Sequence, residues 1–262
     1  MRLICLLAIL AFPCCLLAQS TTPHPLEGTW KLTRAKWGNM KEYKDTEREI
    51  YKIFIADRFY FLYFDGAAFS GAGGGSYRAG KDTFTETIDY FSWDSTAVGT
   101  QQQFSWTIEG DVLHQTGLIA DADQYDAYVI DEYYVRVEPA ARTQKTPLAG
   151  VWRVENATYG DQTVTADDNR WTIHKIFTPQ YWYGAFFNAE TAEFYGVGFG
   201  QYVLRGLEYE ETILAWSWDQ SAVGDTNLFE MEVKPTELIQ RGEINSDKYQ
   251  HYKIVEHFSR LE

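Results

Sequence analysis

Two carboxylates and an amide recur along the chain at matched places. Glu86, Gln115 and Glu132 return as Glu211, Gln240 and Glu256. A glutamate pair held in one enclosed site can divide general-acid and general-base work. Hydrolases that do so hold the two carboxyls about 5–9 Å apart. The same residues can instead anchor the polar end of a bound molecule, because a buried carboxylate needs a partner. Tyr77 and Tyr202 accompany them, each closing a Gly-x-Gly-x-Gly-x-Tyr run. That run is no phosphate loop: no Lys-Ser/Thr and no helical pattern follow. Glycines two apart in a strand clear one face of side chains, which suits a bulge, a kink or a cavity.

Other chemistries find little support. Five histidines are present, none repeated at a matching position and none at a metal-ligand spacing. There is no Gly-x-Ser-x-Gly elbow. No catalytic residue, metal or cofactor is therefore assigned. Asp94 and Asp219, after Trp93 and Trp218, read as turn formers that bond their own backbone. The two tryptophans suit either a core or a rim that stacks on a flat ligand.

The elements that must position these residues form one unit written twice. Pro25-Leu-Glu-Gly-Thr-Trp30 returns as Pro147-Leu-Ala-Gly-Val-Trp152, and Lys52-Ile-Phe54 as Lys175-Ile-Phe177. Ser92-Trp-Asp94 returns as Ser217-Trp-Asp219, and Tyr128-x-Ile-x-Glu132-x-x-x-Arg136 as Tyr252-x-Ile-x-Glu256-x-x-x-Arg260. Each copy carries β-branched and aromatic runs with turn signals about every ten residues, the mark of an antiparallel sandwich or barrel. A helical or turn-rich piece is expected near 38–48 and again near 161–170. Along the last strand, Tyr128, Ile130, Glu132, Tyr134 and Arg136 share one face. The same face is kept in the second copy and reads as the inward one. The middle strands differ, Phe59-Tyr-Phe-Leu-Tyr63 against Trp182-Tyr-Gly-Ala-Phe186, so the copies should share a fold and differ in interior shape.

A Gly-x-Trp on the first strand with an Arg on the last, in an all-β unit of this length, resembles the lipocalin-like branch of the calycin barrels. The resemblance implies that Trp30 and Trp152 plug one end of each barrel. Arg136 and Arg260 would pack across those rings, with Gly28 and Gly150 the glycines of the Gly-x-Trp motif. It implies two tandem antiparallel lipocalin-like β-barrels at 19–138 and 147–262, joined by a linker at 139–146. The glycine run and the Thr-Glu-Thr-Ile strand are also similar to small secreted bacterial proteins of unassigned function. Each copy is shorter than a typical lipocalin and lacks that family's later motifs.

Composition narrows the partners. The formal charge is −14, which disfavours phosphate backbones and anionic membranes. Residues 1–18 read as a secretory signal peptide: Arg2, an apolar run, and Ala18 at the cleavage position. The alternative, a lipidated Cys14 or Cys15, lacks the small residue before the cysteine. All three cysteines lie in this segment, so the mature chain has no thiol chemistry. The protein is expected to be secreted or periplasmic, away from membranes and nucleic acids after cleavage. Three readings stay open. The first is a non-enzymatic module binding a small apolar or amphipathic molecule at Tyr77, Glu86, Gln115 and Glu132 and their copies. The second is a carbohydrate- or protein-facing module with filled barrels, and the third a carboxylate-dependent isomerase or hydrolase.

Overall fold

The computed structural model describes residues 23–119, 128–138, 146–166, 171–244 and 251–261. The signal-peptide reading and all but the last residue of the expected linker lie outside them. The first repeat forms β1 (Gly28–Trp37), β2 (Lys44–Asp45), β3 (Glu49–Ile55), β4 (Arg58–Asp65), β5 (Ala68–Ala79), β6 (Thr83–Phe91), β7 (Gln101–Glu109), β8 (Val112–Ile119) and β9 (Tyr128–Arg136). The second forms β10 (Gly150–Tyr159), β11 (Gln162–Thr165), β12 (Thr172–Phe177), β13 (Tyr181–Phe187), β14 (Phe194–Arg205), β15 (Glu208–Trp216), β16 (Thr226–Val233), β17 (Glu237–Ile244) and β18 (Tyr252–Leu261).

β1 pairs with β3 and β10 with β12, each later strand of a repeat pairs antiparallel with the next, and β9 returns to β1 as β18 returns to β10. Two closed eight-stranded barrels result, with β2 and β11 added alongside β1 and β10. Closure removes the free edges that a lone sheet would expose. The stretches expected to be helical or turn-rich give turns and these two short strands. Residues 167–170 are not among those described.

Matching irregularities bend both barrels. The register slips between Leu32 and Arg34 against β9, and between Val154 and Asn156 against β18. It slips again at Gly74/Gly75 and at Phe199/Gly200. A Cβ on Gly75 would run into the carbonyl oxygen of Thr87, and one on Gly200 into that of Thr212. These glycines therefore permit the bulge that turns the corner. Asp94 and Asp219 are turn formers: each accepts the backbone N–H two residues on, at 2.8 and 3.0 Å.

The barrels do not hang apart on a tether. Tyr51, Ile53, Ile55, Tyr60, Leu62, Phe64, Ala72 and Tyr90 point outward from barrel 1. They join Val151, Ile176, Tyr181, Tyr183, Ala185, Phe187, Val197, Phe199 and Ala215 of barrel 2 in one buried cluster. Tyr51 meets Phe199 at 4.8 Å between ring centroids, and Tyr90 stacks on Phe187 at 4.7 Å. The polar atoms caught there are paired. The Tyr90 and Tyr183 hydroxyls lie 2.7 Å apart, and Tyr60 Oη lies 3.4 Å from His174 Nδ1. At one end Glu138 ties the two barrels. It accepts from Thr29 N–H at 2.7 Å, and from the Thr178 hydroxyl and Gln180 N–H at 2.9 Å each. Residues 59–64 serve both cores: Tyr60, Leu62 and Phe64 face the neighbouring barrel, and Phe59, Phe61 and Tyr63 face their own interior.

Burial, with the positive charges of Arg58 and Arg153, lowers the His174 pKa to about 3. An unfolded His174 takes up its proton near 6.5, so between those values the native state binds fewer protons than the unfolded one. Stability should therefore fall as pH drops from about 6.5 toward 3. Urea midpoints measured across that range in wild type and His174→Gln should differ in slope by up to one proton, with the variant less acid-sensitive.

Candidate functional site

The closed end of each barrel is built on the expected pair. The Arg136 guanidinium lies over the Trp30 ring at 3.9 Å, and Arg260 over Trp152 at 4.0 Å. Arg136 donates to Glu27 O at 2.6 Å and Pro25 O at 2.8 Å. Arg260 does the same to Ala149 O at 2.6 Å and Pro147 O at 2.9 Å. Each tryptophan N–H bonds the carbonyl four residues before it, at 2.7 Å. Gly28 and Gly150, at φ +130° and +141°, lie directly under the guanidinium, where a Cβ would collide with Nη1. Both tryptophans are fully buried. Tyr77 and Tyr202 belong to this end: Tyr77 sits edge-on to Phe54 at 5.0 Å, and the Tyr202 hydroxyl donates to Thr178 O at 2.7 Å.

An up-and-down eight-stranded barrel, closed by first-strand Trp under last-strand Arg, decides the architecture. These are two tandem lipocalin-like barrels.

The middle of each lipocalin-like barrel is polar and occupied. Lys52 Nζ lies 2.7 Å from Glu86 Oε1 and 3.0 Å from Gln115 Oε1. Gln115 donates onward to Glu132 at 2.6 Å. Glu132 also accepts from the Tyr134 hydroxyl at 2.8 Å and from Trp37 Nε1 at 2.7 Å. In barrel 2, Lys175 Nζ meets Gln240 Oε1 at 2.7 Å and Glu211 Oε2 at 3.0 Å. Tyr209 donates to Glu211 at 2.9 Å and Tyr159 to Glu256 at 2.7 Å. The supporting hydroxyls have changed places between copies, but every glutamate keeps a donor or an ammonium.

Rings wall the ammonium groups in. Lys52 Nζ is 5.0–5.3 Å from the centroids of Phe104, Phe54 and Phe84, and Lys175 Nζ is 5.3 Å from Trp182 and Tyr209. Burial pushes the pKa of Glu86 up against the pull of Lys52, and that of Glu256 up against Lys175 and Tyr159. The expected polar residues thus converge inside each barrel, except Tyr77 and Tyr202. Glu86 and Glu132 are bridged by Lys52 and Gln115 rather than facing an open cleft. The sequence reading left out Lys52 and Lys175, although Lys-Ile-Phe was among the repeated motifs. It also left out Trp37, Tyr159 and Tyr209, and placed Tyr134 on the inward face without giving it a role.

The far end of each barrel is aromatic and reached by solvent. Trp93, 49% exposed, lies with Phe61, Tyr63 and Phe91, at ring separations of 6.3, 5.2 and 5.0 Å. Trp218, 40% exposed, lies 5.0 Å from Phe186 and 4.6 Å from Trp216. The glycine run makes this end. Trp93 covers Gly71 and Phe61 covers Gly73, while Trp218 covers Gly196 and Trp216 covers Gly198. The repeats differ at one wall. Phe61 of barrel 1 corresponds to Gly184 in barrel 2, where an added Cβ would make only ordinary contacts with Trp182 and Phe186. Two pockets, of about 490 and 320 Å³, lie between the repeats and outside the barrel interiors.

Residues 25–145, the first barrel and its exit, match the family described as a domain of unknown function, DUF4488. No curated protein matches the chain. Among solved structures, it is similar to a lipocalin-like protein from Bacteroides uniformis at 15% identity, over 44% of this chain and 100% of that one, with a TM-score of 0.30. An uncharacterised protein from Bacteroides eggerthii gives 14% identity over 44% and 99%, with a TM-score of 0.30. An uncharacterised protein from Saccharomyces cerevisiae gives 11% over 89% and 98%, with a TM-score of 0.47.

Removing the central ammonium strands Glu86 in an apolar enclosure. Lys52→Met should cost about 3–5 kcal/mol, the range for breaking a buried ion pair. Lys52→Met/Glu86→Gln should recover much of that loss in denaturant titrations.

Proposed function

We propose that the protein is a secreted or periplasmic, non-enzymatic binding protein, and that each barrel receives a small apolar or amphipathic molecule at its aromatic mouth. The observation that carries this reading is the contrast between the two ends. Rings at the closed end are sealed from solvent, whereas Trp93 and Trp218 stay open above rings that are only partly buried. Exposed, pre-ordered rings offer apolar area at little entropic cost. The indole N–H of Trp93 is already held by Ser70 O at 3.0 Å, so the ring is fixed before anything binds.

The polar residues singled out in the sequence lie beneath that surface. Gln115 and Glu132, with Gln240 and Glu256, form the floor under the mouth. Glu86 and Glu211 hold the ammonium groups, and Tyr77 and Tyr202 support the closed end. The two mouths differ at one wall, where Gly184 of barrel 2 stands in place of Phe61. The partner is then a small molecule and not a nucleic acid or a bilayer. The apolar segment at 1–18, with Ala18 at its end, supports export.

N-Phenyl-1-naphthylamine, a neutral apolar fluorophore, tests the reading. The purified protein should enhance its emission, with up to two molecules bound per chain. Trp93→Ala and Trp218→Ala should each weaken one site, and Gly184→Phe should close the site in barrel 2 alone. Absence of binding, or unchanged binding in the Trp93→Ala/Trp218→Ala double variant, would overturn it.

A further inference from the structure

Beside the buried contact between the barrels runs a groove of about 490 Å³. Its apolar lining comes from Phe187, Trp171 and Leu261 of barrel 2 and Val98 of barrel 1, beside Val154 and Ile88, whose side chains belong to the barrel interiors. Its polar side carries two guanidinium groups, one from each barrel: Arg58 at the start of β4 and Arg153 on β10. The chain has 37 acidic against 23 basic side chains, so two arginines converging on one groove run against the background.

Neither arginine is used up. Arg58 holds Asp89 through Nη1 at 2.6 Å and approaches Asp57 through Nε at 3.5 Å. Arg153 holds one oxygen of Glu155 through Nε and Nη2, at 3.2 and 2.9 Å. Each guanidinium carries five N–H donors, so both keep donors beyond these carboxylates. Between them lies His174, buried, and both arginines contribute to depressing its basicity. The groove thus offers a neutral imidazole, two guanidinium groups each held on one side by a carboxylate, the Phe187 ring edge-on to His174 at 5.4 Å, and the Trp171 indole.

We propose that this groove is a second binding site, distinct from the barrel mouths, for a small organic acid with one carboxylate on a flat apolar body. The carboxylate faces Arg58 and Arg153, and the body lies along Trp171 and Phe187. The volume suits a molecule of one or two fused rings, within the size range of ligand clefts. The site exists only because the barrels are held together, since each supplies one arginine.

Isothermal titration with 2-naphthoate and its neutral counterpart 2-naphthamide tests this directly. The purified protein should bind the acid about tenfold more tightly than the amide, roughly the gain from one charge-assisted contact. Arg153→Ala should remove that preference. Arg153 is half exposed, so the variant should keep the wild-type melting profile. The Trp93→Ala/Trp218→Ala variant should keep the preference, which separates this site from the mouths. Equal affinity for acid and amide, no binding of either, a preference that survives Arg153→Ala, or one lost with the mouth tryptophans would each overturn the proposal.

Discussion

A lysine ammonium enclosed at the centre of each barrel is the constraint around which the interior is arranged. An ammonium taken out of water costs several kcal/mol unless it is paired and hydrogen-bonded. Lys52 therefore fixes where Glu86 and Gln115 lie, Gln115 fixes Glu132, and Glu132 draws in Tyr134 and Trp37. Barrel 2 solves the same problem with different helpers, Tyr209 and Tyr159. Because the middle layer is committed to this network, a ligand is left the two remaining kinds of surface: the ring-lined mouths and the groove between the barrels.

The second constraint is that the two barrels share a core. Strands β3 and β4 of one and β12 and β13 of the other, with Ala72, Tyr90, Val197, Phe199 and Ala215 from the strands beside them, bury side chains against the neighbour as well as in their own interior. Tyr60, Tyr90, Tyr183 and His174 satisfy each other within that contact, so the polar atoms that drying would penalise also fix how the barrels meet. No cysteine lies beyond residue 15, so shared burial rather than disulfides holds the two barrels together.

Much of this was legible in the residues. The duplication, the antiparallel all-β class, the inward face of the last strand and the turn role of Asp94 follow from alternation and spacing, while the barrel and its Trp–Arg closure came from the resemblance to lipocalin-like domains. Those rules act along one strand or between neighbours, where sequence speaks plainly. The inter-barrel contact was less legible, because an apolar outward face shows that something covers it but not what. Lys52 was overlooked because a lysine between Ile50 and Phe54 reads as an interruption until the carboxylates across the barrel are in view. Trp37 and Tyr159 illustrate the same limit: different residue types donate to matched glutamates from equivalent places. Phe61 and Gly184 show how the copies diverged, as the sequence difference suggested, at the wall of the mouth.

The claim that binding occurs above an unbroken polar centre is tested most directly by NMR of the lysine side chains. The Cε and Nζ signals of Lys52 and Lys175 would be followed while N-phenyl-1-naphthylamine is titrated in. The account predicts that the indole N–H signals of Trp93 and Trp218 shift while both lysine signals stay in place with slow hydrogen exchange. Lysine signals that move or begin to exchange rapidly on binding would place the ligand inside the network and contradict it.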